Sequence, residues 1–312
     1  MKARQAVVAP KARSRFFERL SADWIVGGII AGVVLIISAV FASAYFFSQN
    51  RSSGPDFAQV FSVAVSPSTP KRVLLGDASG LFLSTDEGKK WSRHILTEPI
   101  RKVYFDPNKP STVYAVGGEA IQRSTDGGET WARFNTNLPA GRVTSMASDP
   151  SESSRMYAFV SGQGLFKSED GGGTWARQNS LPTATLTSLA VKAGLPDTLY
   201  AFHDTSGFVV SADGGRRFDP VGGPPLPKKA VSDILTFAQE PGTIFVAADQ
   251  GVYKSTDNGG TWTKLDTGGI HGIPVVALSR ESGSGKVYAT DTAGQLYVTS
   301  DGGSTWLKTN PA

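Results

Sequence analysis

The sequence predicts an all-β protein, a six-bladed β-propeller, preceded by a single transmembrane α-helix. Three observations carry this reading. A pattern Ser/Thr-x-Asp-x-Gly-x-x-Trp/Phe occurs six times, with successive aspartates 40, 44, 43, 44 and 44 residues apart. Each period of about 43 residues also holds short β-branched and aromatic runs punctuated by Gly, Pro and Asp, the signature of strands joined by turns. Upstream, residues 24–47 carry no charge, whereas six Lys and Arg precede them.

Composition narrows the field before any motif is read. The chain has 312 residues, 40% of them hydrophobic, which rules out wholesale disorder. Its 35 glycines and 18 prolines disfavour a helical bundle. With no cysteine there is no disulfide framework, zinc-thiolate site or cysteine nucleophile. His94, His203 and His271 lie far apart and show no metal-ligand spacing. The net charge of +4 resides in residues 1–50, where six basic residues face Glu18 and Asp23; the remainder has 25 of each sign. A neutral domain lacks the clustered cations of a phosphate-binding surface, so no nucleic-acid partner is expected.

The N-terminal segments follow in order. Residues 1–23 form a basic tail, and 24–47 read WIVGGIIAGVVLIISAVFASAYFF. At ~1.5 Å per residue this stretch spans roughly 36 Å of helix, enough for a ~30 Å hydrocarbon core. Trp24 and Tyr45 suit the two interfaces, and the preceding cations place the tail in the cytoplasm and the rest in the periplasm. A cleaved signal peptide ending at Ala42-Ser43-Ala44 is the rival reading; the length of the apolar stretch argues against it. Gly28 and Gly32 form a Gly-x-x-x-Gly spacing that lets a second helix approach closely. Residues 48–56 are a linker of at most ~30 Å, which keeps the domain at 57–312 beside the membrane.

Within 57–312 the six motifs contribute Asp86 and Trp91, Asp126 and Trp131, Asp170 and Trp175, Asp213 and Phe218, Asp257 and Trp262, and Asp301 and Trp306. Each is preceded by three apolar runs, as in Phe61–Val65, Val113–Ala115 and Gly80–Leu83, and a fourth starts at the aromatic. Four strands per period is one propeller blade, and six periods leave no room for a seventh. The first repeat opens with its own first strand and the last ends with its own fourth, so the ring is expected to close between whole blades. Chemically, the motif reads as architecture: hydroxyl and carboxylate acceptors take backbone N–H groups within the turn. The glycine permits φ > 0 and the aromatic buries its surface between neighbouring sheets.

These repeats resemble the Asp-box (bacterial neuraminidase) repeat over essentially all of 57–312. Families that share it include sialidases, xyloglucan-degrading enzymes, sortilin-type receptors and the photosystem II stability/assembly factors. The resemblance implies boxes between third and fourth strands, away from a functional face, and specifies fold far more than function.

An enzyme of the sialidase kind needs an Arg-Ile-Pro element, which is missing; Pro99-Ile100-Arg101 has the wrong order. Tyr114, Tyr157, Tyr200 and Tyr288 share one repeated strand position and read as packing. Asp106, Asp149, Asp204, Asp249 and Asp291 follow strands and are placed as turn formers that line one end of the ring. With no phosphate loop or triad, neither catalysis nor a cofactor is expected. Repeat four departs most: Arg216-Arg217-Phe218 leads into a Pro/Gly-rich connection ending at Lys228-Lys229, a candidate docking loop. The functional expectation is a membrane-anchored, non-catalytic propeller that docks on a membrane-protein complex as an accessory subunit or assembly factor. The family resemblance makes a photosynthetic or respiratory complex the partner. The alternative is an extracytoplasmic glycan-binding protein or glycoside hydrolase.

Overall fold

Six four-stranded antiparallel meanders succeed one another along the chain, spanning 60–93, 102–134, 143–177, 186–220, 231–265 and 275–308. The computed structural model describes residues 56–309 other than 95, 119, 180–185, 196, 222–225, 227–230, 266–267 and 282. The expected tail, helix and Gly28–Gly32 contact therefore lie outside the described residues. Among those described, no helix is long and apolar enough to cross a membrane.

Strand order within every sheet is sequential, so each blade is one uninterrupted segment and the ring closes between whole blades, as expected. The first strand of each blade, such as Val60–Val65 or Leu186–Val191, lines the axis, and the second is almost wholly buried. Fourth strands are two or three residues long, largely exposed, and form the rim. They start one residue later than expected, at Ser92, Ala132, Ala176, Asp219, Thr263 and Leu307. The aromatic stays in the turn because its indole N–H donates back to the box glycine carbonyl, at 3.0, 2.7 and 3.0 Å for Trp131, Trp175 and Trp262.

The box turn repeats almost atom for atom. In blade 3, Ser168 Oγ donates to Asp170 Oδ1 at 2.8 Å and accepts the Gly172 N–H at 2.8 Å. Asp170 then accepts the Thr174 N–H at 2.8 Å and the Thr174 hydroxyl at 2.6 Å. Gly172 has φ 91°, and a Cβ there would come within 2.9 Å of Phe134 in the preceding blade. The same position in blade 4, Gly215, faces Leu165 of blade 3 at 2.1 Å by the same construction. The box glycine is thus where two blades meet, and no larger residue fits.

One apolar cluster fills each gap between blades, and the box aromatic belongs to it. Trp262 packs with Phe208 and Tyr200 of blade 4, and Trp306 with Phe245 and Val252 of blade 5. Trp91 closes the ring against Tyr288 and Leu296 of blade 6. Trp306, Trp175 and Trp262 are buried, whereas Trp91, Trp131 and Phe218 are only half-buried, less than the pattern implied. Cover explains part of this. Asn137 folds over Trp175, bonding its backbone N–H and C=O, and Gly269 bonds the Trp306 carbonyl. Trp91 instead meets the edge of Phe57, 5.6 Å between ring centres.

Because the box hydrogen bonds favour the ionised carboxylate, they hold these groups below the usual carboxylate range. Asp170 and Asp301 are held down to about 2, chiefly by the threonine hydroxyl four residues on, and Asp257 to about 2, chiefly by the Thr261 N–H. The Thr130 hydroxyl likewise lowers Asp126; Asp86 and Asp213, followed at that position by Lys90 and Arg217, are lowered mainly by backbone N–H groups. A group depressed on folding adds stability that is complete above its unfolded value, ~3.9, and is lost as pH falls through the folded value. Urea midpoints should accordingly be flat down to pH ~5 and fall between pH ~4 and ~2. Replacing Thr174, Thr261 and Thr305 by Val should make that fall shallower; an unchanged slope would remove the boxes as its cause.

Candidate functional site

The first strands bring one repeated position to the axis at a single level. Strand pairing places Ser62, Lys102, Ser145, Ser188, Asp233 and Ala277 there, in blades 1 to 6. Four of the six are small. The two long ones stand in opposite blades, and Lys102 Nζ donates to Asp233 Oδ1 across the channel at 2.5 Å. Asp233 is buried and also accepts the Leu278 N–H at 3.0 Å from the next blade and its neighbour Ile234 N–H at 3.0 Å. Ser62 plays the equivalent role in blade 1, taking the Val103 N–H at 3.0 Å. Further along the ring, Thr187 and Ser232 donate to the carbonyls of Val231 and Val275 in the following blade. They occupy β-bulges, which turn a side chain from the ladder toward a neighbour.

Two cavities meet at this ion pair, both lined by Lys102. On one side is a narrow cavity of about 20 Å³, lined by Ser145, Ser188 and Asp233 among others. On the other, a cup of about 400 Å³ opens between the ends of the first strands. Third-to-fourth-strand box turns lie on the same face as that opening. Backbone bonds show it: the Gly127 N–H reaches Ser111 O and the Gly214 N–H reaches Asp197 O, each joining the box to the turn after the first strand.

The cup's walls mix apolar and neutral polar groups, with Leu235, Tyr104, Ser148 and Thr236 along the strands and Pro67, Pro107 and Pro150 near the mouth. Its charged lining consists of Lys102 and Arg280, with no carboxylate among the described residues. Arg280 lies over the Phe237 ring, 5.3 Å from its centre, and donates through Nη2 to Gln239 Oε1. Burial lowers its pKa from the ordinary value, and the charge of Glu240 opposes that only in part.

The residues singled out from sequence are distributed differently. Arg216 and Arg217 are exposed in the blade 4 box turn, where Arg217 pairs with Asp219 at 2.7 Å and Arg216 reaches Asp213 O at 3.3 Å. Lys228 and Lys229 lie outside the described residues. The five turn aspartates do not share one end of the ring. Asp106 and Asp149 follow first strands on the box face; Asp204, Asp249 and Asp291 follow second strands on the opposite face, because a meander alternates its turns. Their turn role is plain where bonds form: Asp149 accepts the Ser151 N–H at 2.8 Å and Asp291 the Ala293 N–H at 2.9 Å. Lys102, Asp233 and Arg280 were missed. Their signal is a charge within an apolar first-strand run, at matching positions in repeats two and five for the pair.

Comparison with known proteins agrees with this geometry. The BNR/Asp-box repeat family matches residues 122–133, the blade 2 box. No curated protein matches the sequence. Among solved structures, an ancestral GH74 enzyme superposes with TM-score 0.55 at 19% identity, over 80% of this chain and 40% of that one. This chain therefore spans about two-fifths of that enzyme's length. YCF48 from Cyanidioschyzon merolae gives TM-score 0.51 at 17% identity, over 82% and 86% of the two chains. YCF48 bound to D1 peptide gives 0.52 at 16%, over 81% and 82%. At these identities the likeness establishes the propeller fold.

The cross-channel pair yields a direct test. Lys102→Met and Asp233→Asn should each lower the urea midpoint, and the pair should show a coupling of ~1–3 kcal/mol in a double-mutant cycle. Additive losses would mean the bond across the axis contributes nothing.

Proposed function

We propose that this chain is a non-catalytic propeller, held at the outer face of a membrane by residues 24–47, that docks on a membrane-protein complex as an accessory subunit or assembly factor. The observation that carries this reading is the chemistry of the cup. Glycoside hydrolysis of the common kind needs two carboxylates flanking the scissile bond. The cup is lined by Arg280 and by Lys102, which Asp233 pairs from behind, and by no carboxylate among the described residues. The six box carboxylates are committed to their own turns, on the rim and away from the axis.

Size and likeness support the same reading. The two YCF48 structures match this chain over most of both lengths, whereas the GH74 enzyme extends far beyond it. One of them holds a peptide, so a propeller of this extent accommodates a polypeptide partner. A photosynthetic or respiratory complex is the partner that the repeat resemblance implies. Tethering by a short linker confines the propeller to a thin layer at the bilayer, raising its effective concentration at a membrane partner. Arg216 and Arg217, exposed on the box face, are the docking cations, together with Lys228 and Lys229.

Purification of the tagged full-length chain from gently solubilised membranes should recover subunits of an integral membrane complex. Residues 51–312, which contain all six blades, should recover them at least about tenfold less well. Alanine at Arg216, Arg217, Lys228 and Lys229 should weaken recovery with little loss of stability, since exposed charges contribute ~0–1 kcal/mol each. Recovery of no membrane protein, together with turnover of a glucan or sialoside, would overturn the reading in favour of a hydrolase.

A further inference from the structure

The cup on the box face has the inner strands as its walls and Lys102, paired with Asp233 behind it, at its inner end. At about 400 Å³ it falls within the range of ligand pockets, roughly 300–1,000 Å³. Such pockets are mostly apolar with a few placed polar groups, and this one has a single cation without an acidic partner. Lys102 is neutralised by Asp233. For Arg280, no carboxylate of the described residues comes within salt-bridge distance; Glu240, exposed in the following blade-5 turn, acts only from further away. The guanidinium spends Nη2 on a neutral amide, its Nε is enclosed without a partner, and Nη1 has no hydrogen bond among the described residues.

A partly buried guanidinium paired with nothing charged costs desolvation that an anion would recover. Its planar fork matches a carboxylate, and the ring of Phe237 beneath it fixes its orientation. The single uncompensated charge fits one negative charge; a phosphate dianion would leave an excess negative charge. A cup of about 400 Å³ has room for a compact molecule, and its one unpaired cation asks for one carboxylate. We infer that the cup binds a small organic carboxylate, its apolar body against Leu235, Pro67 and Pro107 and its carboxylate on Arg280. This site does not depend on the docking role and would exist in a propeller that docks on nothing.

The probe is 4-phenylbutyrate, titrated by calorimetry into the full-length chain in lipid nanodiscs, with empty nanodiscs subtracted. The acid should bind, and its uncharged amide should bind at least about tenfold more weakly. Arg280→Gln should weaken the acid by at least about tenfold and leave the amide unchanged, whereas Arg133→Gln, on the exposed rim, should change neither. Asn108→Trp, at the exposed mouth in blade 2 and away from Arg280 and its partners, should block both. A circular dichroism spectrum identical to that of the parent confirms that each variant is folded. Equal binding by the Arg280→Gln variant, or no binding of the acid, overturns the assignment. So does a tetrapeptide with a free C-terminus binding about tenfold tighter than the acid, because the occupant is then a polypeptide end.

Discussion

The box aromatic seated against the preceding blade is the contact on which this ring depends. A four-stranded meander cannot bury both of its faces, so each blade is stable only when stacked on two others. At every junction the chain places the same two devices next to each other. The box glycine removes a Cβ that would otherwise strike the neighbour, and the aromatic three residues later fills the gap so opened. Serine and aspartate hold that turn shut from within, which fixes the ring's angle of entry. Blade 1 receives blade 6 by the same geometry, with Gly88 against Leu296 and Trp91 beside it. Closure therefore needs no strand borrowed from the opposite terminus.

What lies at the axis follows from this ring. Six first strands converge with their backbones on a channel, and small residues at four of six places leave space across it. Lys102 and Asp233 use that space, joining blades that share no other face. The pair also stands at the inner end of the cup, since Lys102 is part of its lining. The cup opens on the face that carries the boxes and Arg216 and Arg217.

Sequence revealed the parts that repeat and concealed those that do not. Six boxes at constant spacing announce six blades, four strands each and whole-blade closure, because identical local chemistry must recur for a ring to form. Which aromatics end up fully buried was not legible: Trp175 owes its cover to Asn137, on a connection with no counterpart in the motif. Nor was the meander's alternation applied to Asp106 and Asp204, which a list of post-strand aspartates puts together and the topology puts on opposite faces. Lys102, Asp233 and Arg280 escaped because each departs from its repeat only once. A charged residue in one first strand is unremarkable until its partner 131 residues away is found directly opposite.

If the aromatic wedge joins adjacent blades, its loss must loosen both blades that it touches. Hydrogen exchange under native conditions on the Trp91→Ala variant tests this most directly, since it removes the wedge only where the ring closes. Truncating a buried aromatic costs ~3–5 kcal/mol, and somewhat less at this half-buried site. The predicted result is accelerated exchange appearing first, and together, in the inner strands Val60–Val65 and Val275–Arg280, with blades 3 and 4 still protected. Acceleration confined to blade 1, with blade 6 unaffected, would contradict it.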